Sequence, residues 1–253
     1  MSVLDHPAIS GAYLFPQPRR VSDPFRIEVD GAELACYRQI VDPKNFTLVH
    51  FHGNGEAVAD YIPDIADLFT DMGLNLLFVE YREYGASTGK AQLVAMLGDG
   101  EAALKAAGLK PEKVIVFGRS IGSLYAIELA ARQPGIAGLI IDSGIADRSE
   151  KFLARSDLES VGLEKNEVIA EVNQQFNHQT KLAGYENPLL ILHTENDGLI
   201  DISHAERNYQ WAGSIDKRLV RLTYGNHNTI LFANAKEYLD AVGTFVKNIT
   251  SGT

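Results

Sequence analysis

The chain lacks the features that mark several protein classes. A single cysteine among its 253 residues, Cys36, excludes an internal disulfide. No apolar run approaches the roughly 18 residues that cross a bilayer, and residues 1–6 lack the basic and apolar regions of a secretory signal. Lys and Arg number 23 against 33 Asp and Glu, which gives a formal charge of −10 with no basic cluster. These absences disfavour nucleic-acid binding and an integral membrane segment, and they predict a cytoplasmic protein.

The chain also lacks the sequence patterns of common cofactor sites. It has no P-loop and no Gly-x-Gly-x-x-Gly after a first strand, so no nucleotide cofactor is predicted. His50 and His52 stand two residues apart and would share a strand face, but no third metal ligand at a suitable spacing accompanies them. We interpret His193 as a structural residue, and His178 and His204 as solvated helix residues. We therefore predict neither a cofactor nor a metal ion.

What is present fits one folded domain. Hydrophobic residues make up 45% and charged residues 22% of the chain, which is ordinary for a globular protein that buries a core. Residues 1–24, with three prolines after position 11, predict an irregular lead-in, and residues 25–253 predict a single domain. Within it, an Asp-Gly pair at 30–31 joins two extended runs at 25–29 and 34–37, which is typical of a β-hairpin.

After the hairpin, short apolar runs alternate with segments of helical period. This alternation predicts a mostly parallel sheet with helices on both faces, the α/β class. Residues 143–186 break the alternation, because their length favours a small helical lid over the sheet edge; the alternative is an ordinary crossover helix with an extra turn. The predicted strands are 47–51, 74–79, 114–117, 139–141, 188–192 and 219–222, and helices are predicted near 57–71, 92–107, 123–132 and 238–246.

One pentapeptide carries the strongest functional signal. Residues 118–122 form Gly-Arg-Ser-Ile-Gly between an apolar strand and an apolar helical segment. In that context Gly-x-Ser-x-Gly holds the serine in a strained turn at the strand tip, and the glycines are needed because a Cβ would collide with the neighbouring chain. Ser120 is therefore the predicted nucleophile, and the alternative is a glycine-rich turn that only connects strand to helix.

A serine nucleophile needs a base and an orienting acid, which in this architecture follow it in the order serine, acid, histidine. His227 lies in a loop between the last predicted strand and the last helix, and it is the predicted base. Asp197 follows the preceding strand and is the predicted acid. Asp142 is its main rival, and Asp201 is a further alternative.

Backbone amides are predicted to bind the oxyanion that forms during such a reaction. The Ile121 amide follows the nucleophile at the start of its helix, where the helix dipole favours negative charge. The loop at 52–55, His-Gly-Asn-Gly, has glycines that let its backbone approach a substrate. We predict the Asn54 amide as the second donor, with Gly55 as the alternative.

Together these motifs resemble those of the α/β-hydrolase superfamily over roughly residues 25–248. A further segment, Glu-Tyr-Arg-Glu-Tyr-Gly-Ala-Ser-Thr-Gly at 80–89, is similar to a loop of small-lidded serine hydrolases, the branch that includes ABHD-type depalmitoylases and esterases. The resemblance implies an α/β-hydrolase fold with an eight-stranded, mostly parallel sheet. It also implies a triad of Ser120, Asp197 and His227 and an oxyanion hole of Ile121 and Asn54.

Two residues depart from the pattern of that branch. Glu83 and Thr194 both stand where the branch usually has glycine, and neither occupies a predicted catalytic position. We hypothesise that Glu83 places a carboxylate near the mouth of the site and disfavours anionic substrates.

The sequence therefore predicts a serine hydrolase that cleaves carboxylic esters or thioesters of a small-molecule or acylated substrate through an acyl-enzyme. The same constellation serves serine peptidases and C–C bond hydrolases. The alternative of a different class is a non-catalytic binding or scaffold protein that keeps the hydrolase fold. The acyl-chain length and the oligomeric state do not follow from the sequence.

Overall fold

The computed structural model describes residues 2–147, 158 and 162–251, and within them eight strands form one sheet. Its order is β1-β2-β4-β3-β5-β6-β7-β8, with β1 antiparallel to β2, β2 antiparallel to β4, and the other pairs parallel. This confirms the predicted mostly parallel sheet with an antiparallel N-terminal hairpin. The strands are β1 Phe25–Val29, β2 Ala32–Gln39, β3 Thr47–Phe51, β4 Asn75–Val79, β5 Val114–Arg119, β6 Gly138–Asp142, β7 Leu189–Thr194 and β8 Lys217–Leu222.

Helices cover both faces of the sheet. Every residue of β3, β4, β6 and β7 is buried, which explains why these strands appear in the sequence as nearly continuous apolar runs. One core cluster packs α3 and α4 on one face, and the other packs α2 and α9 on the opposite face. The helices are α1 Pro7–Tyr13, α2 Asp64–Thr70, α3 Asp99–Ala107, α4 Gly122–Arg132, α5 Lys165–Gln175, α6 His178–Ala183, α7 Ser203–Trp211, α8 Ile230–Ala233 and α9 Ala235–Ser251.

Two of the predicted helices are shorter than expected. The predicted helix at 57–71 consists of a 3-10 turn, Val58–Tyr61, followed by α2, because the proline at 63 has no amide hydrogen to continue the first turn. The predicted helix at 92–107 likewise begins as a 3-10 turn, Ala95–Gly98, before α3. Across the described residues, every helix is too short or too polar to span a bilayer.

The irregular lead-in predicted for residues 1–24 is wrong for its first half. The segment contains a 3-10 turn, Val3–Asp5, and helix α1, whose Ile9 and Tyr13 are buried. The His6 side chain caps α1 by accepting a hydrogen bond from the Ala8 amide. The helix has only seven residues, and packing of its apolar side chains stabilises it, so its sequence shows no long helical period. Residues 14–24 are irregular, as the prolines indicate.

The segment 143–186 contains α5 and α6, and its residues 148–157 and 159–161 lie outside the described residues. Helix α6 packs against α4 and α7. Helix α5 contacts the N-terminal segment, where the Val3 amide donates a 2.8 Å hydrogen bond to the Glu171 carboxylate. The lid over the sheet edge stays a prediction.

Candidate active site

Ser120 stands in a strained turn at the carboxyl end of β5. Its φ is +52°, a left-handed conformation that is uncommon for a residue with a side chain. A Cβ on Gly118 would lie 2.5 Å from the Ala126 Cβ, and a Cβ on Gly122 would lie 2.1 Å from the Phe51 carbonyl oxygen. The two glycines therefore let α4 begin directly against the ends of β5 and β3, and this turn projects the serine beyond the sheet.

The three predicted side chains form one hydrogen-bonded chain. His227 Nε2 lies 2.9 Å from Ser120 Oγ, and His227 Nδ1 lies 2.7 Å from Asp197 Oδ2. The Asp197 Oδ1 atom accepts hydrogen bonds from the Leu199 amide at 2.9 Å and the Ile200 amide at 2.8 Å. All three members are buried, with at most 9% of their surface exposed. This geometry gives His227 an Nδ1–H that donates to Asp197 and an Nε2 that accepts the serine hydroxyl proton.

The environment of Asp197 favours its charged form. Burial by itself raises the pKa of this carboxyl, but the hydrogen bonds from His227 and from the Ile200 and Leu199 amides outweigh burial and bring the pKa below its usual value. The His193 ring also approaches this carboxylate, with Nε2 3.4 Å from Asp197 Oδ2 and 2.8 Å from the Ile200 carbonyl oxygen. Asp197 thus stays ionised at neutral pH and can stabilise a positive charge on His227.

The two alternative acids bind elsewhere. The Asp142 carboxylate accepts hydrogen bonds from the Ser143 and Tyr238 hydroxyls, each at 2.8 Å. Asp201 accepts a hydrogen bond from the Ser203 amide at the start of α7 and is exposed. Of the three candidate carboxylates, only Asp197 contacts His227.

Asn54 and Ile121, the two predicted oxyanion residues, line one cavity of about 300 Å³ together with Ser120 and His227. The Asn54 side chain fixes its loop, because its Oδ1 accepts a hydrogen bond from the Phe15 amide at 2.9 Å and its Nδ2 donates to the Tyr13 carbonyl at 2.7 Å. Gly55, the residue of the alternative donor, does not line this cavity. The arrangement thus leaves Asn54 as the residue of this loop that lines the cavity.

The 80–89 loop supports the oxyanion loop from behind. The Tyr81 hydroxyl donates to the His52 carbonyl oxygen at 2.7 Å, and the Tyr84 hydroxyl donates to Asn54 Oδ1 at 3.1 Å. His52 itself lies between two acceptors, Glu80 Oε1 and the Gly53 carbonyl oxygen, each at 2.8 Å. Burial opposes its charge, but Glu80 raises the pKa of His52 above its ordinary value. Tyr81 and Tyr84 gave no chemical signal in the sequence apart from the family-like spacing of the loop.

The position of Glu83 contradicts the role we assigned to it. Its carboxylate binds Lys90 Nζ at 2.7 Å and accepts the Ala91 amide, and it does not line the cavity that contains Ser120. The residue has φ of +70°, which explains why glycine suits this position in related loops. A carboxylate held by Lys90 outside the cavity gives no reason to expect discrimination against anionic substrates.

Thr194, the second departure, connects the acid loop to the histidine loop. Its hydroxyl donates to the Tyr224 carbonyl oxygen at 3.0 Å. Two residues further on, the Asn196 side chain donates to the Thr223 carbonyl oxygen at 2.6 Å. These bonds hold the loops of Asp197 and His227 side by side, so the substitution for glycine adds a contact that positions the pair.

An ion pair between Arg119 and Glu56, which the sequence motifs did not indicate, joins three parts of the site. The Arg119 guanidinium pairs with Glu56 and also donates to the His227 carbonyl oxygen at 2.9 Å. The other oxygen of Glu56 accepts the Gly53 amide at 2.6 Å and the Tyr61 hydroxyl at 2.5 Å. The pair therefore links the oxyanion loop, the nucleophile turn and the histidine loop through charge-assisted bonds.

The walls of the cavity come from segments distant in the sequence. Phe15 and Leu199 line it and are 46% and 56% exposed, so two large apolar side chains of the cavity lining reach solvent. His204 also lines the cavity, and both His204 and His178 are buried, so the prediction that they are solvated is wrong. Both rings bind the backbone of the 143–147 segment. His204 Nδ1 accepts a hydrogen bond from the Ala146 amide, and His178 Nδ1 is hydrogen-bonded to the Ile145 carbonyl oxygen.

Sequence comparison finds relatives of moderate identity. No protein-family model matches the chain. The chain is 30% identical to human alpha/beta hydrolase domain-containing protein 17B over 179 residues, which are 69% of this chain and 58% of that protein. It is 26% identical to the uncharacterized protein YfhR of Escherichia coli (strain K12) over 188 residues, 72% of this chain and 62% of that protein. The chain therefore spans less than two thirds of the length of these curated relatives.

Solved structures share the fold over more of the chain. The Pyrococcus furiosus esterase Pf2001 superimposes with a TM-score of 0.71 at 19% identity and covers 92% of this chain and 99% of its own. A monoacylglycerol lipase from Paleococcus ferrophilus gives a TM-score of 0.68 at 16% identity, with 85% and 99% coverage. At these identities the likeness establishes the fold.

Proposed function

Since this chain belongs to the α/β-hydrolase superfamily, we propose that it is a serine hydrolase that cleaves carboxylic ester or thioester bonds. The observation that carries the proposal is the 2.9 Å contact between His227 Nε2 and Ser120 Oγ at the tip of a left-handed turn. A scaffold protein has no physical need for a nucleophile, a base and an acid in one hydrogen-bonded chain. The esterase and lipase named among the structural neighbours fit this proposal through their fold.

The proposed reaction proceeds in two steps. His227 Nε2 takes the Ser120 hydroxyl proton while Oγ bonds to the acyl carbon, and the carbonyl oxygen becomes an oxyanion bound by the Ile121 and Asn54 amides. Collapse breaks the bond to the alcohol or thiol, which leaves with the proton from His227. Water then attacks the acyl-enzyme, gives its proton to His227, and the acid leaves as the proton returns to Ser120 Oγ. Asp197 stabilises the charged imidazole in each step.

The cavity supports an apolar acyl substrate. Ile121, Ile145 and Ile200 line its interior, and the exposed Phe15 and Leu199 extend the apolar surface outward. Removing an acyl chain from water against these side chains is favourable at about 25 cal/mol per Å² of apolar surface. We therefore propose that the substrate presents an acyl group to this cavity. The cytoplasmic location stays a prediction.

The proposal is tested by covalent labelling with a fluorophosphonate probe. We expect the wild-type protein and Ser22→Ala, which removes an exposed serine, to be labelled, and Ser120→Ala to remain unlabelled while keeping its circular dichroism spectrum. An unlabelled wild type would support the scaffold alternative. Turnover of p-nitrophenyl esters of graded acyl length, acyl thioesters and aminoacyl amides would then identify the bond, and cleavage of amides alone would favour a peptidase.

A further inference from the structure

A second cavity, of about 180 Å³, lies beside the one that contains Ser120. It is on the sheet face that packs against α2 and α9, and Arg119 and Asn228 line both cavities. An apolar cavity of about 150 Å³ is large enough to bind benzene. The aromatic and aliphatic part of its lining includes Tyr61, Ile65, Leu68, Phe69, Phe117 and Leu239.

The charged side chains of this lining already have partners. Arg119 pairs with Glu56, and the Asp60 carboxylate pairs with Arg19. The Asp142 carboxylate accepts the Ser143 and Tyr238 hydroxyls. A charged ligand would have to break one of these pairs, which is costly in a partly buried site. The lining therefore selects for a neutral ligand.

His50 lines the second cavity and carries a buried polar atom without a hydrogen-bond partner among the described residues. It is 1% exposed, and its ring centroid lies 4.5 Å from that of Tyr61 and 5.1 Å from those of Phe78 and Phe117. Within the described part of the chain, its Nδ1 atom has no hydrogen-bond partner. Burial, together with the positive charges of His52 and Arg119, holds the pKa of His50 well below its ordinary value, so the imidazole is neutral. A buried polar atom without a partner is unfavourable, and a ligand that hydrogen-bonds to it relieves that cost.

We propose that the second cavity is a binding site for a small neutral aromatic alcohol of the phenol type. The ring of the ligand packs against Phe69, Ile65 and the neighbouring apolar side chains, and its hydroxyl bonds to His50. A hydroxyl both donates and accepts, so it matches a neutral imidazole in either tautomer. This binding goes beyond the proposed hydrolysis and does not depend on Ser120.

The proposal is tested with 4-fluorophenol and fluorobenzene, two probes that differ only in the hydroxyl, followed by fluorine NMR titration. We expect the wild-type protein to bind 4-fluorophenol about tenfold more tightly than fluorobenzene, the effect of one net hydrogen bond in a buried site. In His50→Phe, which keeps an aromatic ring and removes both nitrogens, this ratio falls to about one. Ser120→Ala is expected to bind both probes as the wild type does, so a failure of the proposed hydrolase activity leaves this readout unchanged.

A variant that fills the second cavity keeps the test decisive if His50→Phe does not fold. Ile65→Phe places a larger side chain in the cavity and is expected to weaken the binding of both probes at least about tenfold. Ile215→Phe makes the same change at a position that is 99% exposed and should leave both affinities unchanged. Three results would each overturn the proposal: equal affinities of the wild type for 4-fluorophenol and fluorobenzene, an unchanged affinity ratio in His50→Phe, or probe binding that Ile65→Phe does not weaken. The cavity would then be one that holds water only.

Discussion

Replacing Asp197 by asparagine tests the proposed reaction most sharply, because the structure determines how the new side chain must orient. The carboxylate Oδ1 accepts the amides of Leu199 and Ile200, at 2.9 and 2.8 Å. In Asp197→Asn the amide oxygen must occupy this position, since an NH₂ group there would face two further donors. The NH₂ group therefore faces His227 Nδ1, which lies 2.7 Å from the present Oδ2.

This orientation reverses the roles of the two ring nitrogens. The asparagine NH₂ donates to His227 Nδ1, which must then be unprotonated, and the proton moves to Nε2. An Nε2–H cannot accept the Ser120 proton, so we expect kcat to fall about 10³- to 10⁴-fold, the scale that a wrong histidine tautomer causes in serine hydrolases. The volume and the backbone hydrogen bonds of the site are retained, so KM should change little.

The assay is kcat and KM for a p-nitrophenyl ester, combined with nitrogen NMR of the His227 ring to identify its protonated nitrogen. Asp201→Asn is the matched control, because Asp201 is exposed and binds Ser203 rather than His227, and the asparagine Oδ1 can still accept the Ser203 amide. The control should retain the wild-type kcat. A loss in Asp197→Asn smaller than about tenfold, or an Nδ1–H retained in that variant, would refute this assignment of the acid.

Asp197 also makes stability depend on pH. Its folded-state pKa lies below the usual value despite burial, because His227 and two amides bind the charged form. The stabilisation is therefore complete above the unfolded pKa of about 4 and is lost as the pH falls through the lower folded pKa. Asp197→Asn lacks this dependence, so the difference in free energy of unfolding between wild type and variant should shrink from about pH 5 to pH 3 in urea titrations.

Two further predictions concern packing and positioning. The first is a double-mutant cycle of Glu56→Gln and Arg119→Met, in which each single change should lower kcat/KM about 5- to 30-fold, because a partly buried charge-assisted pair is worth about 1–2 kcal/mol. The double variant should be about as active as the less active single variant. If the free-energy losses of the two single variants add in the double variant, the pair does not act as a unit. The second is Gly122→Ala, in which the new Cβ would lie 2.1 Å from the Phe51 carbonyl oxygen. This clash should lower the melting temperature measured by calorimetry by roughly 6–12 °C. An unchanged melting temperature would contradict the need for a close approach of α4 to β3.

The local sequence pattern was sufficient to predict the sheet and the serine turn. The nearly continuous apolar runs at 47–51 and 188–192 predict strands buried on both faces, and the structure has them in β3 and β7. The glycines at 118 and 122 predict a tight turn, and a Cβ at either position would collide with neighbouring atoms. These features follow from sterics and burial within a few residues, which a single sequence records directly.

The tertiary structure was needed to choose among the three candidate acids. Asp142, Asp197 and Asp201 all follow strands in the sequence, and the sequence order alone allows each of them. Only the packing of the acid loop against the histidine loop, through Thr194 and Asn196, brings the Asp197 carboxylate to His227. Such loop contacts join residues about 30 positions apart and have no local periodicity.

The sequence by itself determined the class of the fold, the strained serine and the order in which the candidate residues occur, because these depend on backbone geometry and on apolar periodicity. The tertiary structure alone decided that the N-terminal helix contributes a wall of the cavity, that Arg119 and Glu56 connect three loops, and that His50 faces a second cavity. Each of these depends on contacts between distant segments that meet at the carboxyl edge of a parallel sheet. The strand order sets those contacts, and no single segment encodes it.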